Sequence, residues 1–262
     1  MRRLRISVVA LSCSLTLLAA GPALAGACAF EAQGEGRVAA IIDARSFRLE
    51  DGREIRLAGI EPVSSEKVLA EKSKDGSALA ALIAGREVTL RGQDDTPDRY
   101  GRQPAFVYLG SSGTPVQAAL LAQGEALASV DVADRDCALA LASAEAEGRN
   151  AKQGIWASPS AIKNAESPGD ILAGIGRFTI VEGKVLSVRQ AGATTYLNFG
   201  RNWTRDFAVT ISRRMLPAFE AAGVSLKSLE NRRIRVRGWV ESRQGPRIEA
   251  LHVGQIELLG GN

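Results

Sequence analysis

The chain of 262 residues contains one histidine, His252, near its C-terminal end. That excludes Ser/His and Cys/His nucleophile pairs and every metal site built from several imidazoles. Chemistry here must come from carboxylates, arginines, lysines and tyrosines. Three short stretches concentrate such groups: Ile41-Ile42-Asp43-Ala44-Arg45-Ser46-Phe47, Ile55-Arg56-Leu57-Ala58-Gly59-Ile60-Glu61-Pro62 and Asp98-Arg99-Tyr100-Gly101-Arg102. A fourth, Arg232-Arg233-Ile234-Arg235-Val236-Arg237-Gly238-Trp239, alternates in character. As a strand it would place Arg233, Arg235 and Arg237 on one face, with Ile234 and Val236 toward a core. Guanidinium groups contact phosphates and neighbouring aromatic rings stack on bases, so such a face with Tyr196, Trp203 or Trp239 nearby suits a single nucleic-acid strand. A solvated strand face with core aromatics is the other reading. Asp94-Asp95 and Asp98 form an acidic loop that reads as a solvated turn.

The elements that must position these groups follow from periodicity. Residues 36–42 and 46–49 read as strands, Asp51-Gly52 as a turn, and 54–57 as a third, returning strand. A helical pattern covers 66–83, strands are expected at 87–91 and 104–109, and helices at 116–123 and 138–151. A meander followed by helices implies α+β, most simply a small closed barrel with helices packed on it. The Ser-, Pro- and Gly-rich segment 157–176 reads as a linker, dividing a domain at 26–156 from one at 177–262. In the second domain, strands are expected at 177–188, 195–199, 207–211, 234–240 and 247–251, with a helix at 213–222. Five strands interrupted by one helix suit a second OB-type barrel. An internal echo supports two similar barrels: Glu35-Gly36-Arg37-Val38 against Glu182-Gly183-Lys184-Val185, each opening a strand.

Residues 1–5 carry three arginines, 6–20 are apolar and uncharged, and Ala23-Leu24-Ala25 has the small-x-small form of a cleavage site. The segment reads as a removable signal peptide at 1–25 rather than a membrane span, because the apolar run is shorter than the ~20 residues a span needs. Export to the periplasm or the exterior is therefore expected. Of three cysteines, Cys13 lies in this segment, leaving Cys28 and Cys137. An oxidising compartment predicts a disulfide between them, with lipidation of Cys28 as the alternative. Residues 26–165 hold 16 basic and 20 acidic side chains, whereas 166–262 hold 14 and 9. A polyanion should prefer the second half.

The three short stretches, in their order and spacing, resemble the thermonuclease (staphylococcal-nuclease-like) family. The resemblance runs from about Gly36 to Trp156 and includes Gln117-Ala118-Ala119-Leu120-Leu121-Ala122-Gln123-Gly124-Glu125-Ala126 and Gly154-Ile155-Trp156. It implies a five-stranded OB barrel with helices, hydrolysing DNA or RNA phosphodiesters with calcium. By resemblance, Arg56 and Arg102 match the two phosphate-binding arginines, and Tyr100 matches a tyrosine beside the bound nucleotide. Tyr100 reads equally as a turn residue packed on the barrel. Glu61 matches one calcium-binding acid. The other position, in a turn usually reading Asp-Gly-Asp-Thr, is Arg45 within Asp43-Ala44-Arg45-Ser46. The water-activating glutamate falls where Val63-Ser64 stand. Glu66 could replace it only if the loop shifted, and Asp43 could reach a metal only if the turn reorganised.

A cation at Arg45 costs about 4 kcal/mol per unit charge product at an effective dielectric near 20, doubled for a 2+ ion. No cofactor is therefore expected, calcium entering only if the site is active, with Asp43 and Glu61 as residual ligands. Arg45 is expected either to pair with Glu61 or Asp43 or to join Arg56 and Arg102 in an anion pocket. Three functional readings follow: a binder of DNA or RNA, preferentially single-stranded, with lost or weak hydrolysis; an active phosphodiesterase with a rebuilt site; and an envelope protein-interaction module.

Overall fold

The computed structural model describes Cys28, residues 30–63 and residues 76–260. The expected signal peptide, Ser64, Glu66 and the first part of the 66–83 helix lie outside the described residues.

The first half opens with a long strand, β1 (Glu31–Asp43), followed by β2 (Ser46–Leu49), β3 (Glu54–Leu57) and a short β4 (Ile60–Pro62). Helix α1 (Ser77–Ile83) precedes β5 (Glu87–Gly92) and β6 (Arg102–Leu109). Helix α2 (Val116–Ala122), β7 (Ala126–Ala128) and α3 (Arg135–Asn150) complete it. Five strands close into a barrel in the order β1-β2-β3-β6-β5. Closure is possible because β1 is long enough to pair with β5 through Glu31 to Arg37 and then with β2 from Val38 onward. β3 and β6 are parallel and every other pair is antiparallel, the arrangement of an OB barrel. Phe47, Leu49, Ile55, Leu57, Leu90 and Val107 alternate inward and are almost fully buried.

α3 is tied to the chain's start by the predicted disulfide between Cys28 and Cys137, which are separated by 109 positions. Tyr108 adds a hydrogen bond from its hydroxyl to the Cys28 carbonyl, at 2.6 Å. Asp134 caps α3 by accepting from the Cys137 amide at 2.7 Å.

The segment expected as a linker is built into the second half instead. β8 (Ile162–Asn164) pairs in parallel with β9 (Phe178–Lys184), and α4 (Pro168–Leu172) buries Ile171 completely. Its Ser, Pro and Gly residues make tight connections between these short pieces rather than a free tether. Then follow β10 (Ser187–Ala191), β11 (Thr194–Asn198), β12 (Ala208–Ser212), α5 (Leu216–Ala221), β13 (Arg233–Arg243), β14 (Gly245–Glu249) and β15 (Ile256–Leu258).

The sheet order is β10-β11-β12-β14-β13-β9-β8, with β12 parallel to β14 and β15 added against β13. β9 and β10, expected as one strand, are two segments of one bent path. Val185 N–H donates to Arg232 on the β13 side, and the next amide, Leu186, donates to Asn198 on the β11 side. With β9 and β10 taken together, the strand order repeats that of the first barrel. The internal echo sits at the matching corner, where Val38 N–H donates to Arg86 just ahead of β5. Both corners carry glycine, and the second is the tighter. A Cβ on Gly36 would lie 3.0 Å from Leu49 Cδ1, and one on Gly183 would lie 2.4 Å from Ala165 Cβ and 2.8 Å from Phe199 Cδ1.

The two halves are locked together. Leu127 and Trp156 of the first half pack with Phe178 and Ile180 of the second. Arg237 reaches across to Glu145 of α3 with a bidentate pair, at 3.0 and 2.8 Å, and donates to the Ala128 carbonyl at 3.0 Å. No helix among the described residues is long and apolar enough to cross a membrane.

Candidate functional site

The first three motifs converge at one end of the first barrel because the turns between its strands meet there. Arg45 stands on the β1–β2 turn, Arg56 on β3, Glu61 on β4, and Arg102 at the start of β6. Register fixes the neighbours: Arg56 lies opposite Ser46 across the β2–β3 pair and beside Pro104 across the parallel β3–β6 pair. Gly59, at φ 76°, makes the turn from β3 to β4 and has no room for a Cβ, which would sit 2.8 Å from Leu141 Cδ1 of α3. That close approach sets where Glu61 emerges.

Glu61 is 4% exposed and gives both carboxylate oxygens to arginines. Arg45 Nη1 donates to Oε2, and Arg56 Nη2 donates to Oε1 at 3.3 Å. Burial pushes the Glu61 carboxyl upward, against the hydrogen bond and charge of Arg45 and the charge of Arg56. Burial likewise lowers Arg56, and the positive charges of Arg45 and Arg102 add to it, opposed by Glu61 and Asp131. Asp43 Oδ1 accepts from the Arg45 amide at 2.8 Å, closing the turn that presents Arg45. Of the two expected roles for Arg45, the structure shows the ion pair with Glu61.

Arg102 is held differently. Asp98 accepts from Arg102 Nε at 3.1 Å and Nη2 at 2.8 Å, while its other oxygen accepts from the Tyr100 and Arg102 amides at 2.9 and 3.1 Å. Partial burial acts to raise the Asp98 carboxyl, but these hydrogen bonds outweigh it and hold the group down at about 2. Asp98 is thus the organiser of this turn, not a solvated acid. Tyr100 is 63% exposed, with the Arg99 and Arg102 guanidinium carbons 4.7 and 5.0 Å from its ring centre. A core-packing role for Tyr100 is thereby removed.

Two buried polar atoms of the site, Arg56 Nε and Ser46 Oγ, lack partners among the described residues. Buried donors are nearly always satisfied, so an unused guanidinium N–H marks a place for an acceptor. A cavity of about 330 Å³ lies beside Arg56, bounded among others by Phe106, Pro104 and Asp131. Asp131 had no signal in the sequence, since it reaches the site only through the β7–α3 connection.

The arginine face expected on β13 does not form. Ile234 and Val236 do enter the core, but Arg237 is 5% exposed and bound to Glu145. Arg235 lies between Glu182 at 2.7 Å and Glu257 at 2.8 Å, leaving Arg233 exposed. The physical reason is that β9, β15 and α3 cover this strand and bring carboxylates to it, which period-two alternation cannot reveal. Trp239 packs edge-on against Phe178, at 6.0 Å between ring centres. Trp203 and Tyr196 lie elsewhere, on the β10–β11–β12 face. His252 caps a short 3-10 turn, in line with a structural or surface role.

Residues 54–158 match the family described as staphylococcal nuclease homologue. No curated protein matches the chain at a meaningful level of similarity.

Proposed function

We propose that the chain, whose residues 54–158 match the staphylococcal nuclease homologue family, is an exported nucleic-acid-binding protein whose first barrel grips phosphodiester phosphates but hydrolyses them weakly or not at all. The observation that carries this is the pairing of Glu61 with both Arg45 and Arg56 while Arg56 Nε remains unpartnered. A phosphate entering the site meets the Arg56 guanidinium, whose buried Nε has no partner among the described residues, and a second arginine beside it. Its oxygens compete with Glu61 for these donors, since the guanidinium fork matches phosphate as well as carboxylate. Arg102 contributes once it turns from Asp98, and exposed Tyr100 offers a ring for a base beside that phosphate.

The residues do not fit the calcium that the family resemblance implies. Calcium takes about 6–8 oxygen ligands, mostly from carboxylates and carbonyls. Glu61 is committed to two arginines and Asp43 to a backbone amide. Among the described residues, no group of three or more His, Cys, Asp or Glu is placed to hold a metal ion. The barrel therefore retains the anion-holding part of a phosphodiesterase and has replaced its metal-holding acid with Arg45.

The test is cleavage and binding of labelled single-stranded DNA and RNA by the purified protein, with calcium and then with chelator, beside Arg102→Ala. Binding without cutting, weakened by Arg102→Ala and by salt, is expected. Calcium-dependent cutting lost in the variant would establish a rebuilt catalytic site instead. Absence of salt-dependent binding would favour a protein-interaction module.

A further inference from the structure

A groove separate from the first barrel opens on the sheet of the second half. It has a volume of about 950 Å³ and lies on the outer face of β10, β11 and β12, with the start of β14 as its far wall. Small sites for organic ligands span roughly 300–1,000 Å³, so this groove is at the top of that range. Its floor follows from strand register. Arg189, Tyr196 and Thr210 form one row across three strands, and Ser187, Asn198, Ala208 and Arg247 form the next. Leu197, Val209 and Ile211 alternate into the core, so the row members face outward. Small side chains at Ser187, Ala191 and Ala208 leave the space that Tyr196 partly fills.

One wall is a built loop. Asp206 Oδ2 accepts from the Asn202 amide at 2.8 Å, and Asn202 Oδ1 accepts from the Thr204 amide at 3.1 Å and its hydroxyl at 2.6 Å. Gly200 and Gly245 allow the loop to close: a Cβ on Gly200 would lie 2.0 Å from Asp206 Oδ2, and one on Gly245 would lie 2.8 Å from the Asp206 carbonyl. This internally bonded loop presents Trp203 at 68% exposure.

Charge identifies the ligand. Arg189, Arg201, Arg243 and Arg247 line the groove. Among the described residues, Arg189 and Arg201 pair with no carboxylate, while Arg243 and Arg247 share one, Glu241, at 4.0 and 3.3 Å. We propose that this groove is a second binding site, for single-stranded nucleic acid, with bases stacked on Trp203 and Tyr196 and the backbone phosphates held by Arg189, Arg201 and Arg247. Planar rings together with arginines, of which Arg189 and Arg201 have no carboxylate partner among the described residues, suit alternating bases and phosphates. Residues 166–262 also carry the chain's excess of basic side chains. The site is independent of the first barrel's arginines and extends the nucleic-acid reading to a second surface.

The experiment measures anisotropy of a fluorescein-labelled 12-mer of deoxythymidine, and the same 12-mer of uridine, with the full protein across a salt series. Trp203→Ala should weaken binding about 5- to 150-fold, the equivalent of about 1–3 kcal/mol of stacking per base. Trp203→Phe should restore most of it. Arg189→Ala should reduce the slope of log affinity against log salt by about 0.7. Unchanged affinity in Trp203→Ala together with an unchanged slope in Arg189→Ala overturns the proposal. Thymidine 5′-monophosphate competing as strongly as the 12-mer also overturns it, in favour of a nucleotide pocket. Arg102→Ala, measured alongside, separates the two sites. Loss only in Trp203→Ala supports this groove and removes the first-barrel reading, and loss only in Arg102→Ala does the reverse.

Discussion

The first barrel and the sheet of the second half share a strand order, yet they treat their arginines in opposite ways. In the first, Arg45 and Arg56 are bound to Glu61, and Arg102 is clamped by Asp98. In the outer groove of the second, Arg189 and Arg201 have no carboxylate partner among the described residues, and an ordered loop holds Trp203 in solvent. The arginines buried in the second half, Arg235 and Arg237, are those with structural work: one joins β13 to β9 and β15, the other joins the two halves. Equal topology therefore does not imply equal chemistry. An arginine's role is set by whether a neighbouring element brings a carboxylate to it.

Removing the disulfide breaks the comparison hardest, because only the first barrel has one. In the chain-entropy view a loop of 109 positions contributes about 5 kcal/mol, so Cys28→Ser with Cys137→Ser should lower stability by roughly 2–5 kcal/mol. In a chemical-denaturation experiment the first barrel should unfold earlier than the second. A single cooperative transition would show that the interface dominates.

Arg237→Ala comes next. It takes the bidentate partner from Glu145, 1% exposed, leaving it Arg149 at 3.8 Å and the Ala128 amide, at a cost of about 3 kcal/mol, the low end for breaking a buried pair. Proteolysis should then cleave between the halves where the native protein resists, whereas Arg233→Ala, at an exposed position of the same strand, should change little.

The corner glycines compare the barrels directly. Gly183→Ala forces a Cβ against Ala165 and Phe199 and should cost about 1–3 kcal/mol. Gly36→Ala meets only the end of a leucine at 3.0 Å and should cost less, by thermal denaturation of each variant. Equal losses would mean that the second corner relaxes.

The smallest effect is on pH dependence. Asp98 is held at about 2, below its unfolded value near 3.8, so its ion pair stabilises the fold above about pH 4 and that contribution fades as pH falls toward 2. Asp98→Asn should flatten this acid limb. It should also free Arg102 and strengthen phosphate binding to the first barrel, which calorimetry with inorganic phosphate would register.

Much of the fold was legible because it is local. The strands at 46–49 and 54–57 follow from alternation and the Asp51-Gly52 turn, and α2 and α3 from apolar spacing. β4 and β7 were not legible. Three residues carry no period, and the pair exists because Gly59 turns the chain toward α3. Of the first site, Arg45, Arg56, Glu61 and Arg102 were readable from three motifs and their family resemblance, while Asp131 was not. The strand 233–243 shows the limit most clearly: its core face was right, but its arginine face was not open.

The sequence by itself determined the longer strands and helices of the first barrel, which cysteines pair, and that carboxylates and arginines rather than histidines carry the chemistry. Those properties depend on neighbours within a few residues, on composition, or on a single remaining partner. Only the tertiary structure decided which arginines are free. Glu145 lies 92 positions from Arg237 and Glu61 lies 16 from Arg45, and no pattern along the chain announces that these charges will meet. Desolvation then makes the pairing binding: once a carboxylate is buried, the arginine beside it is held there, and arginines that no buried acid reaches are left for a ligand.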